Sequence, residues 1–159
     1  MRWIRFAVLV CLATIIQAGF LSIFVIRPDL LIILLVFFSI YGSTSDSIIT
    51  SFSIGFAADL IGPSMGSQMI SFGILGTLLA YLNRVIAMRK MPYQALAIFV
   101  ITILASITAN ILNSFKGVPM TGYGDILKTA IYSGVAGPFA FLPVAWWMRI
   151  KTQRNRRRF

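Results

Sequence analysis

The stretch Gly55-Phe56-Ala57-Ala58-Asp59-Leu60-Ile61-Gly62-Pro63-Ser64-Met65-Gly66 decides how this chain is read. It ends an apolar segment with a carboxylate, breaks the segment at Gly62-Pro63, and re-enters apolar sequence past a second glycine. Asp59 is one of only four acidic residues in a chain of 159. The residues around it are Ile, Leu, Phe, Ala, Gly and Ser, so an ionisable side chain at this place demands a partner or a role.

The rest of the chain gives that carboxylate its setting. The composition is 58% hydrophobic and 11% charged, with a mean hydropathy of +0.89. That is far more apolar surface than a soluble domain of this length can bury, and it predicts an all-α polytopic membrane protein. The apolar runs do not alternate in polarity, which excludes a transmembrane barrel. We read one helical domain over residues 1–148 and a basic tail over 149–159.

Six apolar segments follow one another. The first, Phe6 to Ile26, is longer than the apolar stretch of a signal peptide and lacks a small-x-small cleavage site, so it is read as an uncleaved span. The second, Leu30 to Tyr41, and the third, Ser47 to Ile61, fall short of the roughly 20 residues a perpendicular span needs. They form either two thin spans or one re-entrant pair. Two spans is the preferred reading, which makes a bundle of six transmembrane helices, with five as the alternative. The fourth runs from Gln68 to Asn83, the fifth from Tyr93 to Asn113, and the sixth from Asp125 to Met148.

Local chemistry marks several boundaries. Pro28 suits the start of a helix and disfavours helix before it, and Asp29 then sits in the first turn, where the dipole favours a negative charge. Ser45 or Asp46 is expected to cap the third segment and Asp125 the sixth. Gln17, a lone polar group at depth, is expected to bond another helix.

The formal net charge of +10 invites a nucleic-acid reading. The basic residues flank apolar segments, however, which is the pattern of topology signals. With six spans and a cytoplasmic N-terminus, Arg2, Arg5, Arg84, Arg89, Lys90, Arg149, Lys151, Arg154, Arg156, Arg157 and Arg158 lie inside, and Arg27, Lys116 and Lys128 outside. Eleven against three places both termini in the cytoplasm, and the tail is suited to anionic lipid or an acidic cytoplasmic partner. No nucleic-acid partner is expected. The chain has no His and no Glu, and Cys11 is its only cysteine. No nucleophile–base set and no phosphate-cradling glycine loop with its lysine emerges, so no enzyme activity, metal or cofactor is expected.

Two patterns remain. Small residues recur every four positions: Ser47, Ser51 and Gly55 (with Asp59 continuing the row), Gly76 and Ala80, and Ala130 and Gly134 ahead of Gly137. Such rows let helices approach closely, within the bundle or against a partner. Thr102, Ser106, Asn110 and Asn113 form one polar stripe on the fifth segment, suited to bonding neighbouring helices or to lining a cavity. For Asp59, near the outer end of its helix, the expected partner is Arg27 at the same depth, with Lys128 nearby.

Pro28-Asp29-Leu30-Leu31 before a short apolar segment, then Gly55-Phe56-Ala57-Ala58-Asp59-Leu60, Gly66 and Tyr81, resemble the pattern of the MreD family, the bacterial rod shape-determining membrane proteins. The resemblance covers essentially the whole chain. It implies a non-catalytic, multi-pass subunit of the bacterial inner membrane that works with MreC, the MreB filament, a RodA-type glycosyltransferase and a class B penicillin-binding transpeptidase in side-wall peptidoglycan synthesis. It also implies a fold like the S components of vitamin transporters. On this resemblance, Arg27, Pro28, Asp29, Gly55, Asp59, Gly62, Gly66, Gly76 and Ala80 are the candidate structural or partner-contact residues, with a small-residue face meeting the helix of MreC. The rival reading is an S component itself, binding a vitamin or cation. Against it, Ala7 is followed four residues on by Cys11 and Ala13 by Gln17, not by the alanines such proteins often carry. Thr102, Ser106, Asn110 and Trp146 make a sparse cavity lining.

Overall fold

A computed structural model describes residues 3–19, 23, 28–62, 65–85 and 90–148. Within them lie six helices: α1 (Trp3–Ala18), α2 (Leu30–Tyr41), α3 (Thr44–Ile61), α4 (Ser67–Val85), α5 (Met91–Phe115) and α6 (Tyr123–Met148), with no strand among the described residues. Two of them, α5 and α6, are long and apolar enough to cross a membrane. The basic tail, Arg27 and Pro63 lie outside the described residues.

The shortest helix is the centre of the molecule. From Leu31 to Ile40 every side chain of α2 is buried, none more than 4% exposed. A helix apolar on all sides has no polar face to turn outward, so it sits where neighbours surround it. Helices α1, α3, α4, α5 and α6 all pack against it. Phe37 and Phe38 anchor the contacts, edge-on to Phe141 of α6 and Phe6 of α1 at centroid separations of 5.3 and 5.0 Å. Such edge-to-face pairs use the ring quadrupoles favourably.

At 12 residues α2 is about 18 Å long, well short of the roughly 30 Å of a bilayer core. Its terminal backbone groups therefore fall inside the bundle, where each unpaired group would be costly. Its own cap, Asp29, and side chains from other helices take them up. At the start, the Asp29 carboxylate accepts from Leu31 N–H (3.1 Å) and Ile32 N–H (3.3 Å), and Gln17 Oε1 of α1 also accepts from Leu31 N–H. At the end, Ser47 Oγ of α3 donates to the Phe38 carbonyl, and Asn83 Nδ2 of α4 donates to the Ile40 carbonyl, both at 2.8 Å. Gln94 of α5 donates to the Tyr41 hydroxyl (2.9 Å).

The outer surface is apolar. Ile4 and Ile15 of α1, Phe56 of α3, Ile74 of α4, Leu96 of α5 and Phe139 of α6 are all more than half exposed. The hydroxyls on or near this surface hide their donors: Ser53, Thr77 and Thr108 each donate to the carbonyl four residues back. Both features suit a surface that faces hydrocarbon, where a free hydroxyl has no water to bond.

Helix ends differ in places from the sequence expectation. Helix α3 starts at Thr44, not Ser47, because Ser43 caps it: Ser43 Oγ accepts from Asp46 N–H at 3.2 Å. Neither Ser45 nor Asp46 is the cap. Asp29 is the cap of α2 rather than a first-turn residue. Asp125 lies inside the first turn of α6, where the Gly122 carbonyl accepts from its N–H.

Candidate functional site

Both carboxylates of the two sequence motifs lie toward the same end of the bundle, and both are spent on helix starts. Helix α4 begins at Ser67, directly after a glycine. The residue at the cap position is Gly66, whose φ of +91° is a left-handed conformation that disfavours any side chain. Asp59 supplies what Gly66 lacks. Its Oδ2 accepts from Gly66 N–H (2.8 Å) and Met69 N–H (3.0 Å), and its Oδ1 accepts from Gln68 N–H (2.9 Å). The carboxylate is 4% exposed. A negative group against three unpaired amides at a helix start combines charge-assisted bonding with a favourable dipole. Asp59 is thus a capping residue reaching across the turn from the preceding helix.

The row that precedes Asp59 builds the same joint. Ser51 faces Gly76, where an added Cβ would fall 2.0 Å from Ser51 Oγ. Gly55 lies against the backbone of the first turn of α4, where an added Cβ would be 2.6 Å from Met69 Cα and 2.9 Å from the Gln68 carbonyl oxygen. One residue from each turn of α3 therefore holds α4: a serine, a glycine, then the capping carboxylate, at four-residue spacing. The Gly76 carbonyl also accepts from Ser39 Oγ of α2 (3.3 Å), which makes the position a three-helix junction.

The structure places several of the expected site residues. Gly76 and Ala80 are buried inside the bundle, with Gly76 packed against Ser51 of α3 and Leu35 of α2. Gly62 ends α3 with φ −77°, a conformation open to any residue. The expected Arg27–Asp59 pair lies outside the described residues on its Arg27 side. On the Asp59 side, both carboxylate oxygens are engaged by the α4 amides. Lys128 does not approach Asp59 but faces Asp125 three residues earlier in α6, at 4.0 Å, in an exposed pair. Lys116, at the end of α5, donates instead to the Met65 carbonyl beside the α3–α4 turn.

The second carboxylate gathers three helices. Gln17 Nε2 donates to Asp29 Oδ1 (3.0 Å), and Asp29 N–H donates to Ser133 Oγ of α6 (2.8 Å). Gln17 bonds another helix, as its position predicts. Ser133 is fully buried; a lone serine gave no signal in the sequence. Replacing Gln17 with leucine removes the polar tie between α1 and α2. We expect a loss of about 1 kcal/mol, within the range of measured interhelical bonds in membrane proteins. Faster amide exchange confined to α1 and the first turn of α2 is the expected readout. Unchanged exchange there would show that packing alone holds α1.

The polar stripe on α5 splits. Thr102 donates to its own helix at the Ile98 carbonyl (2.7 Å). Asn110 grips the following loop through both ends of its amide: Nδ2 donates to the Thr121 carbonyl and Oδ1 accepts from Thr121 N–H. Trp146 is 80% exposed while Thr102 is fully buried, so the structure does not bring together the lining an S-component cavity needs. Among the described residues, no group of three or more His, Cys, Asp or Glu is placed to hold a metal ion.

A buried apolar helix, its ends bonded by its own cap Asp29 and by side chains of the helices around it, within a hydrocarbon-compatible surface, defines a helical membrane protein. The family model for the rod shape-determining protein MreD matches residues 1–147, and the chain belongs to that family. It is a family of membrane proteins that determine cell shape as part of the rod complex. Comparison with curated proteins and with solved structures found no match.

Proposed function

We propose that this chain is a non-catalytic, multi-pass subunit of the rod complex in the bacterial inner membrane, with six membrane-embedded helices and both termini in the cytoplasm. It would hold an MreC-like single-span protein and, through it, act with the MreB filament, a RodA-type glycosyltransferase and a class B penicillin-binding transpeptidase. The observation that carries this reading is the family match over nearly the whole chain, motif carboxylates included. What the site adds is the use of those carboxylates: Asp29 and Asp59 bond helix starts and neighbouring side chains, an arrangement suited to a scaffold. The end-to-end lock between Arg5 and Trp147 supports common placement of the termini. Arg5 Nη1 donates to the Trp147 carbonyl and Trp147 Nε1 donates to the Arg5 carbonyl.

The test is complementation. In a rod-shaped bacterium depleted of its own MreD, this chain is expected to restore rod shape and to co-purify with the MreC-like protein. Round cells despite normal amounts of the chain in the membrane would overturn the reading.

A further inference from the structure

The observation left unused by the scaffold reading is a cleft of about 220 Å³ where α5 and α6, the two helices of membrane-spanning length, are joined. Its walls include Ile107, Ile111 and Phe115 of α5, Met120 of the loop and Tyr123 of α6. Asn110 builds it. By gripping Thr121 at both ends of its amide, it folds the loop back along α5, so that Met120 and Tyr123 stand beside Ile107 and Ile111.

The chemistry of the walls selects the occupant. The volume would take roughly seven waters, each wanting two to four polar partners. The cleft offers the Ser114 and Tyr123 hydroxyls, while the Asn110 amide is already committed to Thr121. Water is therefore a poor filling and an apolar group a good one. Position then decides which apolar group is at hand. Ile107 and Ile111 belong to the exposed apolar side of α5. They lie in the last three turns of a 25-residue helix about 38 Å long, at the depth where the bilayer core gives way to headgroups. The Tyr123 and Ser114 hydroxyls at the rim match the level of the glycerol esters, the usual place for amphipathic rings.

We infer that this cleft is a seat for one acyl chain of a bilayer phospholipid, held between α5, the Asn110-pinned loop and the start of α6. The inference rests on the membrane-spanning reading of α5 and α6. A seated chain would fill the gap that the loop leaves and brace it at the end of the bundle where both motif carboxylates lie.

The experiment uses the full chain in nanodiscs of phosphatidylethanolamine and phosphatidylglycerol, doped with a phospholipid carrying a diazirine along one acyl chain. After photolysis, adducts are mapped by mass spectrometry. Labelling is expected to concentrate on Ile107 and Ile111 over the comparably exposed Ile74 and Leu78 of α4, which do not line this cleft. Ile111→Trp, a change at a half-exposed site, fills the cleft and is expected to lower labelling of the segment 107–123 severalfold while α4 labelling stays. Asn110→Ala frees the loop and is expected to do the same. Labelling of 107–123 no denser than that of α4, or unchanged by Ile111→Trp, would overturn the seat while leaving the membrane reading intact. Absence of labelling on α4, α5 and α6 alike would overturn the membrane reading itself.

Discussion

Asp59→Ala is expected to lower the stability of the protein by about 2 kcal/mol, because it removes the capping carboxylate from three part-buried amide donors at the start of α4. The comparison with Asp59→Asn separates the contributions. Asparagine keeps one acceptor oxygen but turns an NH₂ group toward donors that need an acceptor, so it is expected to recover less than half of the loss. The readouts are thermal unfolding in detergent and amide exchange resolved by segment. Exchange should rise first over residues 66–70, where Asp59 takes the Gly66, Gln68 and Met69 amides. A melting temperature unchanged in Asp59→Ala would refute the capping role. A rise in exchange confined to α1 would point instead to a partner on the Arg27 side.

The second large effect is at Gly55. A methyl group there would sit 2.6 Å from the Cα of Met69, a distance that only movement of a helix backbone can relieve. Gly55→Ala is expected to cost about 3 kcal/mol, at the upper end of overpacking penalties, and Gly55→Leu to give no folded protein. Gly76→Ala is expected to cost a similar amount, since the added methyl would lie 2.5 Å from Ser51 Cβ, which no rotamer of Ser51 can move. Gly62→Ala is the control. Its added methyl would meet the Ala58 carbonyl oxygen at 3.4 Å with an ordinary φ, and a change within about 0.5 kcal/mol is expected. Large losses in unfolding temperature at both Gly55 and Gly76, and a small one at Gly62, are the prediction. An order set by sequence motif alone, with Gly62 as sensitive as Gly55, would contradict it.

These residues also show what could be read without coordinates. The limits of α2 were legible because nothing in Leu30–Tyr41 breaks its apolar run, and Pro28-Asp29 and Gly42-Ser43 punctuate it on both sides. The four-residue row from Ser47 to Asp59 was legible as a packing face, because helix periodicity alone puts those positions in line. The object of that packing was not. Whether a small face meets a helix of the same chain or of another depends on the turn that follows, and that turn depends on one positive φ at Gly66. The partner of Asp59 was hidden for the same reason. Charge reasoning searches for a cation, whereas the group that engages it is the unpaired backbone of the next helix. One signal was available: Gly66-Ser67-Gln68 opens a helix with a glycine at the cap, so an acceptor had to come from elsewhere. The polar stripe on α5 misled in another way. Spacing placed Thr102 and Asn110 on one face but gave no sign that the first would bond its own helix and the second a loop.

The encapsulation of α2 bears on how the chain is made. A helix of about 18 Å with unsealed ends is a poor resident of a bilayer by itself, because its terminal carbonyls and amides would meet hydrocarbon. The groups that seal it come from α1 before it in the chain and from α3 and α4 after it. Inserting one finished helix after another and packing them later is therefore unfavourable for such a segment. We expect nascent α2 to stay sheltered, beside α1, until α3 and α4 can bond its ends. The segment through Val85 holds the side chains that meet both ends of α2, and Ser133 of α6 later adds its bond to the Asp29 N–H.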